Sequence, residues 1–250
     1  MNSFENILNG FETIGLENMK DVQLLDRLDI KYTMNLNELD ELLNQCNNDY
    51  YVVDINGVKN CTYLTEYYDT ANYSMYLAHH QGKQNRYKIR FRTYVDSALK
   101  FFEIKFKSNK GMTFKSRVKT HLNATMSDTE VKELLNKKTN FVYNDLHKAI
   151  VVQYNRITLV NKSKTERITI DTNLTFQLAK QEKTLHNLVI VELKKGRETK
   201  STFIEVAKSL KLKTGSLSKY ALGIALLANG IKNNLFKTKI KYVESLSKAS

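Results

Sequence analysis

From Arg86 to Arg92 polar and apolar positions alternate without a break. Arg86, Lys88, Arg90 and Arg92 share one parity, and Tyr87, Ile89 and Phe91 the other. Successive side chains leave a strand on opposite faces, so the segment predicts a strand with one cationic and one apolar face. Phe101–Lys107 repeats the pattern, with Glu103, Lys105 and Lys107 opposite Phe102, Ile104 and Phe106. Thr113–Lys119 sets Lys115, Arg117 and Lys119 against Phe114 and Val118, and Val189–Lys194 projects Glu192 and Lys194 from an apolar strand. The connectors at 95–98 and 108–111 are short enough to make the first three strands antiparallel neighbours.

Elsewhere the periodicity changes. Phe4, Ile7, Leu8 and Phe11 form a helical stripe within residues 1–20. Asp26–Thr33 and Tyr63–Asp69 read as strands, and Asn72–His80 as a short helix or turn. Asn35 is placed to cap a helix over Leu36–Cys46, whose Leu36, Leu39, Leu42 and Leu43 share a face. Asp128–Lys137 predicts a helix, Leu146–Tyr154 is ambiguous, and Arg156–Val160 with Arg167–Asp171 predicts a hairpin around Asn161–Lys164. Thr202–Leu212 and Lys219–Lys232 read as closing helices. Together these predict one α+β domain with a mainly antiparallel sheet.

The 250 residues carry a net charge of +13, which points to an anionic partner such as nucleic acid, a phosphate-rich metabolite or an anionic membrane. Cys46 and Cys61 match no metal-ligand spacing and read as plain thiols in a reducing compartment. The N-terminus lacks signal-peptide regions, and the longest apolar run, Ala221–Ile231, is far shorter than the roughly 20 residues that span a bilayer. The expected location is therefore the cytoplasm.

Like charges on adjacent strands destabilise a sheet by a few tenths of a kcal/mol or more per pair. An antiparallel barrel of about eight strands, with the charges inside and helices packed outside, would let a polyanion neutralise them. Single-strand nucleic-acid binders need aromatic platforms beside their cations. Here Tyr87, Phe91, Phe102, Phe106 and Phe114 lie on the opposite parity, which disfavours nucleic acid and favours phosphate without base. Glu103 and Glu192 share the cationic parity. Each reads either as a salt-bridge partner for lysine or as a ligand for Mg²⁺ or Mn²⁺.

In order along the chain stand Arg27-Leu-Asp-Ile-Lys31, Tyr67-Tyr-Asp69, Arg90-Phe-Arg92, Glu103-Ile-Lys105, Lys115-Ser-Arg117, Arg156, Arg167-Ile-Thr-Ile-Asp171, Val191-Glu192-Leu-Lys194 and Ser218-Lys219-Tyr220. The set resembles the VTC domain, the polyphosphate polymerase branch of the CYTH-like triphosphate tunnel metalloenzymes, over residues 24–223. The resemblance implies a barrel whose lumen binds triphosphate, and transfer of the γ-phosphate of ATP onto inorganic polyphosphate with Mn²⁺ or Mg²⁺. It implies that Lys31, Arg90, Arg92, Lys105, Lys115 and Arg156 act in catalysis. Lys88, Lys107, Arg117, Lys194 and Lys219 would bind the triphosphate or polyphosphate, and Glu192 with Glu103 the metal. It divides the chain into an N-terminal helical segment (1–20), a tunnel domain (21–235) and a basic tail (236–250). A membrane-protein partner for product export is a further expectation.

Two positions depart from the pattern. The hydrolytic branch carries two glutamates and a lysine at alternate positions of its first strand, where this chain has Arg27, Asp29 and Lys31. Fewer acids favour polymerase over triphosphatase. A lysine that similar polymerases carry is Ser216 here. The alternatives kept open are a non-catalytic polyphosphate-binding domain and a triphosphatase. His79-His80 reads as a turn rather than a metal site. Gly215–Lys219 lacks P-loop spacing, and its serines read as helix caps.

Overall fold

A computed structural model describes residues 3–21 and 27–248. Met1, Asn2, the predicted strand start at Asp26, the side chain of Arg27 and the last two residues lie outside that description. The elements run α1 (Ser3–Asn9), β1 (Thr13–Ile14), β2 (Arg27–Asn35), α2 (Leu39–Cys46), β3 (Tyr50–Val53), β4 (Asn60–Thr70), α3 (Ser74–His80), β5 (Arg86–Tyr94), β6 (Leu99–Lys107) and β7 (Thr113–Thr120). They continue with α4 (Thr129–Lys138), β8 (Leu146–Asn161), β9 (Glu166–Leu178), β10 (Gln181–Leu185), β11 (Leu188–Gly196), α5 (Thr202–Ser209), β12 (Lys213–Thr214), α6 (Lys219–Leu227) and α7 (Lys237–Lys248).

The main sheet orders its strands β12-β2-β11-β9-β8-β4-β5-β6-β7, and every ladder on this path is antiparallel. β5, β6 and β7 pair as their connectors require, with Arg90 opposite Glu103 and Glu103 opposite Arg117. The ambiguous Leu146–Tyr154 joins the predicted 156–160 strand in one strand of 16 residues. Asn35 caps as expected: its side chain accepts from Asn37 N–H, and Glu38 accepts from the Asn35 N–H at 2.8 Å. The first helix is shorter than predicted and ends at Asn9, though Phe4, Leu8 and Phe11 are buried as its stripe requires. The basic segment after Phe236 is a helix, α7, whose Val243 is buried; Tyr242 accepts a hydrogen bond from Thr33 on β2.

The expected barrel is not closed. Among the described residues no ladder joins β7 to β12, the two ends of the sheet. β12 is two residues long and contributes only Lys213 and Thr214 to pairing. β7 carries Lys115, Arg117 and Lys119, all exposed, and a charged edge discourages further pairing. Bringing it against Lys213 and Lys31 would set like charges together without solvent.

The sheet nonetheless curls, and its two sides differ. The convex side is covered by α1, α2 and α5 over Tyr32, Met34, Ile157, Ile168, Val189 and Val191, and by α4 over Ile89, Phe91, Phe102 and Ile104. The concave side is divided. Helix α6 lies on one half, against Ile150, Val152, Leu174, Phe176 and Ile190; the other half carries the cations. A bulge on β9 makes the division. Asn173 and Leu174 together oppose Tyr154, since Gln153 pairs with Thr175 and Asn155 with Thr172. Asn173 takes a φ of 51° there. One extra residue flips strand parity, so Thr169 and Asp171 face inward before the bulge and Leu174 and Phe176 after it. Helix α6 sits flush because residue 223 is glycine: a Cβ there would come within 2.5 Å of Ile150 Cδ1 and Phe176 Cδ1. No helix among the described residues is long and apolar enough to cross a membrane.

Candidate anion-binding site

Because the sheet curls, Lys105 on β6 lies close enough to Lys194, Glu192 and Lys31, on strands far from it in sheet order, for their charges to act on it. Lys31, Lys88, Arg90, Arg92, Lys105, Lys115, Arg156, Lys194 and Lys219 thus share one concave surface. Its carboxylates are Glu103, Asp171, Glu192 and Asp29, so cations outnumber acids about two to one. Three of the acids are each held between two cations.

Glu103 is 1% exposed. It accepts from Arg90 Nε at 2.7 Å and pairs with Lys115 Nζ at 2.5 Å. Burial works against its charge, but Arg90, Arg92 and Lys115 prevail and bring its pKa down to about 2. Arg156 and Asp171 sit opposite each other in the β8–β9 ladder, joined by two hydrogen bonds of 2.5 and 2.8 Å. Lys219, at the start of α6, pairs with the same Asp171 oxygen as the second bond. Glu192 lies opposite Lys31 in the β11–β2 ladder, with Lys31 Nζ 2.5 Å from Oε2, and Lys194 pairs with Oε1. Lys31 and Lys194 outweigh the burial penalty and hold Glu192 below the usual carboxylate range. Lys194 also reaches Asp29 at 3.0 Å.

The remaining cations lack such compensation. Arg92 Nε is enclosed and has no hydrogen-bond partner. Among the described residues Lys88 donates to a neutral oxygen, Ser218 Oγ, at 2.8 Å and to no carboxylate. Burial, then Lys105, Arg90, Arg86 and Lys31, depress its pKa to about 7. Burial and Lys194 likewise lower Lys105. Lys107 stands opposite Arg86 at one end of the surface. Arg117 lies toward the open edge with its guanidinium over the Phe101 ring, 4.8 Å from the centroid.

Tyrosines floor the site. Arg90 lies over Tyr67 at 5.8 Å, Arg92 and Arg156 over Tyr63 at 5.9 and 5.0 Å, and Lys219 over Tyr154 at 4.5 Å. The Tyr154 hydroxyl is buried without a hydrogen-bond partner. Burial opposes its ionisation, yet Arg92, Arg156 and Lys219 lower its pKa. A phenol so placed is a ready donor to an anion. The Tyr63–Tyr67 alternation on β4 could have signalled these rings; nothing local to Tyr154 marks it. Ser218 caps α6 as expected, its Oγ accepting from Ala221 N–H. His80 is structural, accepting from Leu235 N–H at 3.1 Å.

Of the acids, Glu192 suits a divalent cation better than Glu103. Its two partners are flexible ammonium groups at its surface, whereas Glu103 is enclosed beneath a guanidinium. A separate group of ligand-type side chains, His121, Asp128 and Glu130, lies at the start of α4. There Asp128 pairs with His121 at 2.6 Å and accepts from Thr125.

The fold is thus an antiparallel α+β sheet whose concave face crowds Arg and Lys around a few paired acids. The VTC domain model matches residues 26–228, and the chain belongs to the VTC domain family. Among curated proteins none matches its sequence significantly. Its fold is shared with an adenylate cyclase candidate from Bacillus halodurans, at 12% identity and a TM-score of 0.50, covering 77% of this chain and 94% of that one. A plant protein from Hippeastrum, described as a cyclase candidate with dominant triphosphatase activity, aligns at 10% identity and a TM-score of 0.47 over 78% of this chain and 95% of its own.

Proposed function

We propose that this chain is a polyphosphate polymerase, transferring the γ-phosphate of ATP onto the end of an inorganic polyphosphate held on the concave face, with Mn²⁺ or Mg²⁺. The observation that carries the reading is the imbalance of that face. Each buried acid is already held by two cations, while Arg92, Lys88 and Lys105 remain without a carboxylate of their own. Such a surface is repulsive alone and gains strongly from an anion whose charges repeat along a line.

In this reading a terminal polyphosphate oxygen attacks the γ-phosphorus, the bond to the β-phosphate breaks, and ADP leaves. The attacking oxygen is already anionic, so no side chain need remove a proton. Positioning and charge neutralisation then suffice. Arg90, Arg92, Lys105, Lys115, Arg156 and Lys31 would hold the transferred phosphate and its neighbours. Lys88, Lys194 and Lys219 would hold the chain, with Lys107 and Arg117 at its margins. Tyr154 would donate to a phosphate oxygen. A divalent cation, when bound, neutralises developing phosphate charge; Glu192 would hold it. Asp29 is engaged by Lys194, which leaves β2 poorly equipped to activate water and supports transfer over hydrolysis.

The test is incubation of the pure chain with ATP and Mn²⁺, followed by electrophoresis stained for polyphosphate. Long chains are expected. Orthophosphate alone would make it a triphosphatase, and tight polyphosphate binding without turnover a sensor; either result overturns the polymerase reading.

A further inference from the structure

Where the cationic surface ends near Arg86, a small cavity opens between α3, the loop at 215–218 and the start of α7. His79, Ser216, Ser218 and Lys239 line it together with Leu217, Ala221, Leu222 and Phe236, and no carboxylate does. Lys239 Nζ is 3.0 Å from both the carbonyl and the hydroxyl oxygen of Ser216. Lys88 reaches the same loop from β5 through Ser218, so the cavity continues the line Arg92, Arg90, Lys88, Arg86, whose members are about 6.7 Å apart along the strand.

We propose that this cavity is a second oxyanion site, made by Lys239, His79 and the N-terminus of α6, which holds a phosphate of a polyphosphate chain beyond the segment bound on the concave face. The inference rests on the polyphosphate reading above and extends it to a helix outside the matched residues.

Three observations support it independently of one another. His79 Nδ1 is enclosed without a hydrogen-bond partner, in a cavity that offers it no acceptor carboxylate. Lys88, Arg86, Lys239 and Lys107 all act on the imidazole and, with burial first among the causes, bring its pKa down to about 3. It is therefore a neutral donor among four cations that lack an anion. Helix α6 begins at the cavity with no acid in its first turn; its Ala221 N–H is taken by the Ser218 cap, and the positive end of the helix dipole there favours negative charge. Lys239 adds the full charge at the outer side.

The experiment is calorimetric titration of the full chain with tripolyphosphate and, separately, with long inorganic polyphosphate. Lys239→Gln is expected to weaken the long chain about tenfold, the size of one charge-assisted contact. It should change tripolyphosphate affinity less than twofold, with an unchanged thermal midpoint. Lys239→Arg should restore the long-chain affinity. Equal losses for both ligands, or no loss for either, would overturn the second site while leaving the polyphosphate reading intact. If the unmodified chain binds neither ligand, the polyphosphate reading fails, and the second site with it.

Discussion

Arg156 and Asp171 face each other across the β8–β9 ladder and close two hydrogen bonds, of 2.5 and 2.8 Å, on the floor of the site. Lys219 takes the same carboxylate from α6, so one acid ties the sheet to the helix. Removing one member of a buried pair leaves its partner charged and unpaired, at a cost of about 3 kcal/mol or more. Asp171→Ala should lower stability by that order in urea unfolding. Because Arg156 and Lys219 are then released to bind phosphate, saturating tripolyphosphate should raise the variant's thermal midpoint by more than it raises the wild type's.

Arg90 and Arg92 are two residues apart on one face, yet only Arg90 has a carboxylate partner. Arg92→Ala should cut polymerisation at least a hundredfold while leaving the thermal midpoint within a few degrees of wild type, since Glu103 keeps both of its bonded cations, Arg90 and Lys115. Arg90→Ala should lose both activity and stability because Glu103 is stranded. Paired assays of polyphosphate yield and thermal unfolding separate the two.

The metal response divides the two glutamates. Glu192→Gln should abolish stimulation by Mn²⁺ and remove Mn²⁺ binding seen by electron paramagnetic resonance in the presence of tripolyphosphate. Glu103→Gln should keep Mn²⁺ binding and instead lower stability, because Arg90 and Lys115 lose their shared anion. Retained Mn²⁺ binding in Glu192→Gln would remove that residue from the metal assignment.

Titration gives signs as well. Lys88 is depressed from 10.5 to about 7 in the fold, so between those values the unfolded chain holds more protons. Its contribution to stability therefore grows as pH rises through that window. Anion binding favours the protonated lysine, so tripolyphosphate affinity should fall as pH rises above about 7. Calorimetry in buffers of different ionisation enthalpy should show proton uptake on binding, reduced in Lys88→Met. At the acid end Glu103, lowered from 4.5 to about 2, supplies stability present above 4.5 that is lost as pH falls toward 2.

Strands β5, β6 and β7 are readable from the chain because one face is mostly charged and the other mostly apolar, and their short connectors leave no other pairing. The length of β8 is not readable, because Leu146–Tyr154 is apolar on both parities and alternation is lost. The β9 bulge is a one-residue slip that no composition marks, yet it turns Leu174 and Phe176 toward α6 and so decides where the cationic half begins. A ring of like charges suggests closure, but parity reports which face a side chain takes and not whether two distant edges meet. Tyr154 and Lys239 escape local reading because their significance comes from neighbours far along the chain.

Among the described residues β7 has one unpaired edge, and if the concave face holds polyphosphate as proposed, that edge sets how the ligand enters. A closed tube must be threaded from an end, so a long polymer finds it slowly and leaves it slowly. A trough open on one flank lets a strand of phosphates lie down sideways at any point along its length, guided by Lys115 and Arg117 on the rim. Under that proposal residence would be governed by how many links are gripped at once rather than by the time needed to slide free, which would favour repeated release and recapture over a single uninterrupted run.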